Sequence, residues 1–127
     1  MGKIVLEEKR LIFQRRDELI VIEAYGENCL RTRATRNNKV SEEKWTLLDP
    51  VTKDHCVVEG DEKFATITNG DIKATIEAGF PWYGGIVCFY RKDKLILKRK
   101  YEGDYVNNYI HTEGDHYSTK VIFEANE

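Results

Sequence analysis

No apolar run in the 127-residue sequence approaches the roughly 20 residues that a membrane-spanning helix needs. The opening residues, MGKIVLEEKR, hold too short an apolar stretch for export and no small-residue cleavage site, so the compartment expected is cytoplasmic. An excess of one charge is missing as well. With 20 Lys and Arg against 22 Asp and Glu, the net charge of -2 creates no field that would gather nucleic acid or an anionic membrane. Cysteine is scarce: Cys29, Cys56 and Cys88 are odd in number, widely spaced and without a Cys-x-x-Cys, and they read as buried thiols rather than disulfides or metal ligands. There is no Gly-rich phosphate loop, H-E-x-x-H, G-x-S-x-G or calcium loop, so neither a metal nor a cofactor is expected. His55, His111 and His116 could each supply a general acid, but the sequence sets no carboxylate beside any of them. They read as solvated or core-satisfied, and no residue is assigned a catalytic role.

What the sequence does have is a period of two. At 41% hydrophobic and 33% charged, it is long enough for one domain with its own core. Residues 11–14, 18–25, 29–35, 63–68, 71–77, 85–91, 94–101 and 117–124 are short segments rich in Ile, Val, Thr, Tyr and Phe, separated by Gly, Asn and Asp. About eight strands are predicted from these runs. Only SEEKWTLL, Ser41 to Leu48, has the pattern of a helical turn or two, with Ser41 as its cap and Asp49-Pro50 as its stop. In FATITNGDIKATI, Asn69-Gly70 supplies the two positive φ angles of a type I′ hairpin. That register sets Thr68 against Asp71, Ile67 against Ile72 and Ala65 against Ala74, with Thr66 and Lys73 facing water. An antiparallel sheet with one buried face needs a cover, and with so little helix the cover is a second sheet. The fold class predicted is an all-β antiparallel β-sandwich.

Two stretches, RKDKLILKRKY and LRTRATR, are basic, but their charges alternate with apolar residues as on the outer face of a hairpin. Arg31 and Arg33 share a face and are placed to pair with Glu23 or other carboxylates on a neighbouring strand. The loop AGFPWYGG stands apart. It concentrates Phe80, Trp82 and Tyr83 between glycines in what should be a hairpin connection. Such rings can stack on a sugar, which makes these three the candidate carbohydrate-binding residues, or they can fold back and plug one end of the sandwich.

In order, NCLRTRATRNNK, ATITNGDIKATIEAG, VCFYRKDKLILKRKY and TKVIFEANE resemble the amino-terminal β-sandwich region of glycoside hydrolase family 31, the α-glucosidases and α-xylosidases. The likeness covers nearly the whole chain, and the order and spacing of the motifs carry it. It implies a galactose-mutarotase-like sandwich over residues 1–127, incomplete relative to the parent domain, because the alternation in STKVIFEANE breaks off in mid-pattern. The catalytic (β/α)8 barrel, with the two aspartates serving as nucleophile and acid/base, is expected to lie elsewhere in the parent. A non-catalytic domain follows from this, packing on the barrel and helping to shape a pocket for terminal α-linked glucose or xylose.

Two other functions stay open at this point. One is a stand-alone carbohydrate-binding module using the loop over residues 80–83. The other is an aldose mutarotase-like enzyme, since mutarotases share the sandwich, although fold likeness does not carry function. The partners implied are carbohydrate through the parent enzyme, the barrel, and a second copy of the chain through an edge or face that truncation uncovers.

Overall fold

The computed structural model describes residues 2–15, 18–35, 53, 55–78, 85–100, 110–113, 116–119 and 122–125, and their side chains as far as residue 98. Strands β1 (Lys3–Leu6), β2 (Arg10–Arg15), β3 (Glu18–Ala24) and β4 (Leu30–Thr35) form one antiparallel sheet in chain order. Strands β5 (Cys56–Gly60), β6 (Phe64–Asn69), β7 (Ile72–Glu77), β8 (Ile86–Arg91) and β9 (Lys94–Lys100) follow as a meander. Strands β10 (Ile110–Glu113) and β11 (His116–Thr119) pair as a separate hairpin. Strand β12 (Ile122–Ala125) then returns to the outer side of β9, completing a six-stranded sheet ordered β12-β9-β8-β7-β6-β5.

The alternation explains why two sheets meet. Ile4, Leu11, Phe13, Ile20 and Ile22 point inward from the four-stranded sheet, and Ala65, Ile67, Ala74, Ile76 and Val87 point inward from the six-stranded one. All ten are buried in one cluster. Each fully buried aliphatic side chain contributes on the order of 1.5–3 kcal/mol, so this layer is the main source of stability. The β-sandwich expected from the period of two is the architecture observed, and among the described residues there is no helix.

Twelve strands stand where about eight were expected, counting the described residues alone. β1, KIVL, is four residues long and β5, CVVEG, barely alternates, so neither rises above the pattern of its flanks. The single strand expected over 117–124 is two, β11 and β12, and β10 was missed. The helical turn expected over Ser41 to Leu48 lies outside the described residues. β3 departs from alternation in another way. Leu19 and Val21 point away from the main core yet are buried, and with Ile12 they form a cluster of their own on the outer face. ELIVIEA therefore reads as a near-continuous apolar run because both of its faces are covered.

The hairpin register also differs from expectation. Asn69 pairs with Ile72, Ile67 with Ala74 and Ala65 with Ile76, so the two loop residues are Gly70 and Asp71 instead of Asn69 and Gly70. Positive φ is needed at Gly70 alone, at 63°, the pattern of a type II′ turn. The displacement is two residues along β7, which preserves the side-chain alternation. Ala65, Ile67 and Ala74 are therefore in the core as expected, whereas Ile72, at the turn end of β7, is only half-buried and stays outside the core cluster.

Asn69 is the physical reason. Fully buried, it donates through Nδ2 to the carbonyls of Gly26 at 2.6 Å and Cys29 at 2.7 Å, while its Oδ1 accepts from the His55 backbone N–H at 2.8 Å. That many partners hold it in the strand and push the turn one residue onward. The two positive φ angles of a type I′ turn occur instead at Lys92 (49°) and Asp93 (64°), between β8 and β9.

Candidate functional site

The aromatic loop joins β7 to β8, and these strands do pair antiparallel, from Ile72 against Arg91 to Glu77 against Ile86. Phe80, Trp82 and Tyr83 themselves lie outside the described residues. The roots of the loop are described. Ala78 packs against the core cluster and donates its N–H to the Lys63 carbonyl at 2.8 Å. A Cβ at Gly85 would come within 3.1 Å of both Ile76 Cδ1 and Phe13 Cγ. Both ends of the loop therefore spring from the hydrophobic layer, at the Phe13 end of the sandwich.

On the outer face of the six-stranded sheet an open groove of about 670 Å³ is lined by Glu59, Thr66, Thr68, Gly70, Asp71, Lys73, Lys92 and Asp93. Strand alternation builds its floor, because Thr66, Thr68 and Lys73 are the outward residues of β6 and β7. The tips of two hairpins make its wall, joined by the Lys92 N–H donating to the Asp71 carbonyl at 2.9 Å. Lys73 is committed already: its Nζ lies 3.2 Å from Asp93 Oδ1 and 4.9 Å from the centroid of the Tyr90 ring. The surface offers hydroxyls and charges of both signs to a polar ligand. Thr66 and Lys73 were expected to face water, and the strand bounds 85–91 and 94–101 left residues 92 and 93 as the turn, but nothing in the sequence set that turn beside Gly70-Asp71.

The remaining charge clusters are structural. Glu23 sits opposite Arg31 and receives Arg31 Nη2 at 2.6 Å and Arg33 Nη2 at 2.9 Å, as their shared face had implied. Arg31 also stacks over Tyr25, 5.1 Å from the ring centroid. In the β5–β6 turn, the backbone N–H groups of Lys63 and Phe64 donate to Asp61 Oδ1 and hold its carboxyl below the ordinary carboxylate range.

His55 is exposed ahead of β5, and the register of the β10–β11 hairpin sets Glu113 opposite His116. All three cysteines are thiols, but the expectation that they are buried fails. Cys29 is exposed in a turn, and Cys56 and Cys88 are half-buried. Cys88 stands opposite Thr75 on the outward side of β8, where alternation denies it the core. Among the described residues no group of three or more His, Cys, Asp or Glu side chains is arranged to hold a metal ion, and no helix is long and apolar enough to cross a membrane.

Neither a family model nor a curated protein matches the chain. A solved structure does: a GH31 α-xylosidase from a soil metagenome, complexed with xylose, superposes with a TM-score of 0.65 at 30% identity, over 76% of this chain. The chain is a domain related to glycoside hydrolase family 31. The resemblance carried by the motif order is thus met by an independent match of coordinates, and the match is consistent with the amino-terminal sandwich of that family. The chain spans 14% of the length of that α-xylosidase.

Proposed function

We propose that residues 1–127 are the non-catalytic amino-terminal β-sandwich of a cytoplasmic α-glycosidase that hydrolyses terminal α-linked glucose or xylose. The observation that carries this reading is the 30% identical match to an α-xylosidase over 76% of the chain. A retaining glycosidase needs two carboxyl groups about 5–5.5 Å apart across the scissile bond, and a (β/α)8 barrel presents such groups from the ends of its strands. The sandwich then contributes by packing on the barrel and bounding the substrate pocket. A second copy of the chain, docked through an open sheet edge, is the other partner we propose.

Two assays test this. The isolated chain at stoichiometric concentration is expected to leave nitrophenyl α-xyloside and α-glucoside intact, and turnover at that purity would overturn the non-catalytic role. Supplied in trans to a family 31 α-xylosidase fragment lacking its own sandwich, the chain is expected to bind and restore activity. Failure to bind the fragment would reject the packing role. Light scattering addresses the second copy, and a monodisperse monomer counts against it.

A further inference from the structure

The sequence contains a single Asn-Gly pair, Asn69-Gly70, and the fold treats that asparagine unlike an ordinary turn residue. In an open chain, Asn-Gly is the dipeptide most prone to lose its side-chain amide, because glycine has no side chain to hinder its own nitrogen. The Gly70 nitrogen gives up its proton and bonds to Asn69 Cγ, the Cγ–Nδ2 bond breaks, and ammonia leaves. Water then opens the five-membered imide to give aspartate or isoaspartate. No electrons are transferred, and water is the sole co-reactant.

Here every atom of that reaction is restrained. Asn69 is fully buried. Its Oδ1 accepts from the His55 N–H at 2.8 Å, and its Nδ2, the leaving group, donates to the carbonyls of Gly26 and Cys29. The attacking nitrogen faces the His55 carbonyl at 3.4 Å. A further clasp holds the turn from outside: Asn28 Oδ1 accepts from the Asp71 N–H at 2.6 Å. The reaction needs Asn69 Cγ to rotate, Nδ2 to leave two carbonyls and water to enter. None of these can occur while the 26–29 turn is latched to the 69–71 turn.

We propose that Asn69 is a conformationally gated deamidation site, closed in the native sandwich and opened when the latch between the 26–29 and 69–71 turns releases. The modification is one-way in its structural effect. Aspartate at position 69 would set a carboxylate oxygen against the Gly26 and Cys29 carbonyls, where two N–H donors had been, and isoaspartate adds a backbone atom to the last residue of β6. A chain that opens for long enough is thereby marked and kept from closing in the same way.

Peptide mass mapping of the full chain at mildly alkaline pH tests this, with Asn28, Asn37, Asn38, Asn107, Asn108 and Asn126 as internal controls. In denaturant, Asn69 is expected to deamidate first, with isoaspartate the main product. In native buffer the same peptide should react at least about 100-fold more slowly, set by the population of the open latch. Equal native and denatured rates, or another asparagine reacting faster in denaturant, would overturn the proposal.

Asn28→Ala removes the outer clasp without touching the reacting atoms and should accelerate the native reaction. Should that variant not fold, wild-type protein titrated with denaturant serves instead, the Asn69 rate rising before global unfolding; a rate that stays flat until the global transition sinks the gating. Asn69→Asp, made directly, should melt on the order of 10 °C below wild type. Melting at the wild-type temperature would show that the modification leaves the latch intact.

Discussion

The side-chain amide of Asn69, at the end of β6, donates to the backbone carbonyl of Cys29, in the turn between β3 and β4, at 2.7 Å. One polar side chain thus stitches the six-stranded sheet to the four-stranded sheet, and a second bond from the same nitrogen reaches Gly26 at 2.6 Å. Asn69→Ala would strand the Gly26 carbonyl in a buried site and take the acceptor from the part-buried His55 N–H. The expected loss is about 2–4 kcal/mol, read as a lower urea midpoint with an unchanged slope. A loss below about 0.5 kcal/mol would mean that water replaces the amide at no cost.

The same residue shows what local pattern can and cannot reveal. Ala65, Ile67 and Ala74 were legible as core because a period of two fixes the face of a strand whatever its partner. The register was not, because the partners of Asn69 lie 40 and 43 positions away in sequence, and nothing in TNGD announces them. Lys92-Asp93 was legible as the gap between two strands but not as a type I′ turn, because it lacks the glycine that usually marks one. The pairing of Glu23 with Arg31 and Arg33 was readable, because two arginines on one face of a strand call for a carboxylate across from them. Of the candidate site, the aromatic loop was visible as composition, whereas the groove arises from two hairpin tips brought side by side by strand order.

Glu23 offers a second measurement. Its carboxylate takes both arginines on a largely covered face, with side-chain exposures of 13–18% across the three residues. Glu23→Ala leaves two guanidinium groups facing each other without their shared acceptor, and about 1–3 kcal/mol of stability should disappear. Glu23→Gln keeps the shape and one acceptor oxygen, so it should fall between that variant and wild type. Thermal melts of the three proteins in low and high salt check this. Indistinguishable melting of wild type and Glu23→Ala would show that the pair only breaks even against its desolvation.

Asp61 sets a pH dependence. Its carboxyl is held below the ordinary value of 3.8 by N–H groups present only in the folded turn. The unfolded chain therefore binds a proton at higher pH than the folded one. The stabilisation is complete above the ordinary carboxylate range and is lost as pH falls through the lowered folded value. Asp61→Asn abolishes this component, so on acidification from neutral pH the melting temperature of wild type should fall more steeply than that of the variant. Parallel curves would place the acid sensitivity elsewhere.

Trp82 separates two roles for the loop that leaves the sandwich beside Phe13. Because Ala78 and Gly85 both abut the core, a large ring between them has an apolar layer within reach, and burying it would stabilise the sandwich. Trp82→Ala is therefore expected to lower the melting temperature, with no sugar-binding heat to lose when xylose, α-glucans or xyloglucan fragments are titrated in a calorimeter. The opposite result, an unchanged melt together with loss of a heat that wild type gives, would assign Phe80, Trp82 and Tyr83 to carbohydrate recognition. It would also turn the sandwich from a support for a barrel into a binding module in its own right.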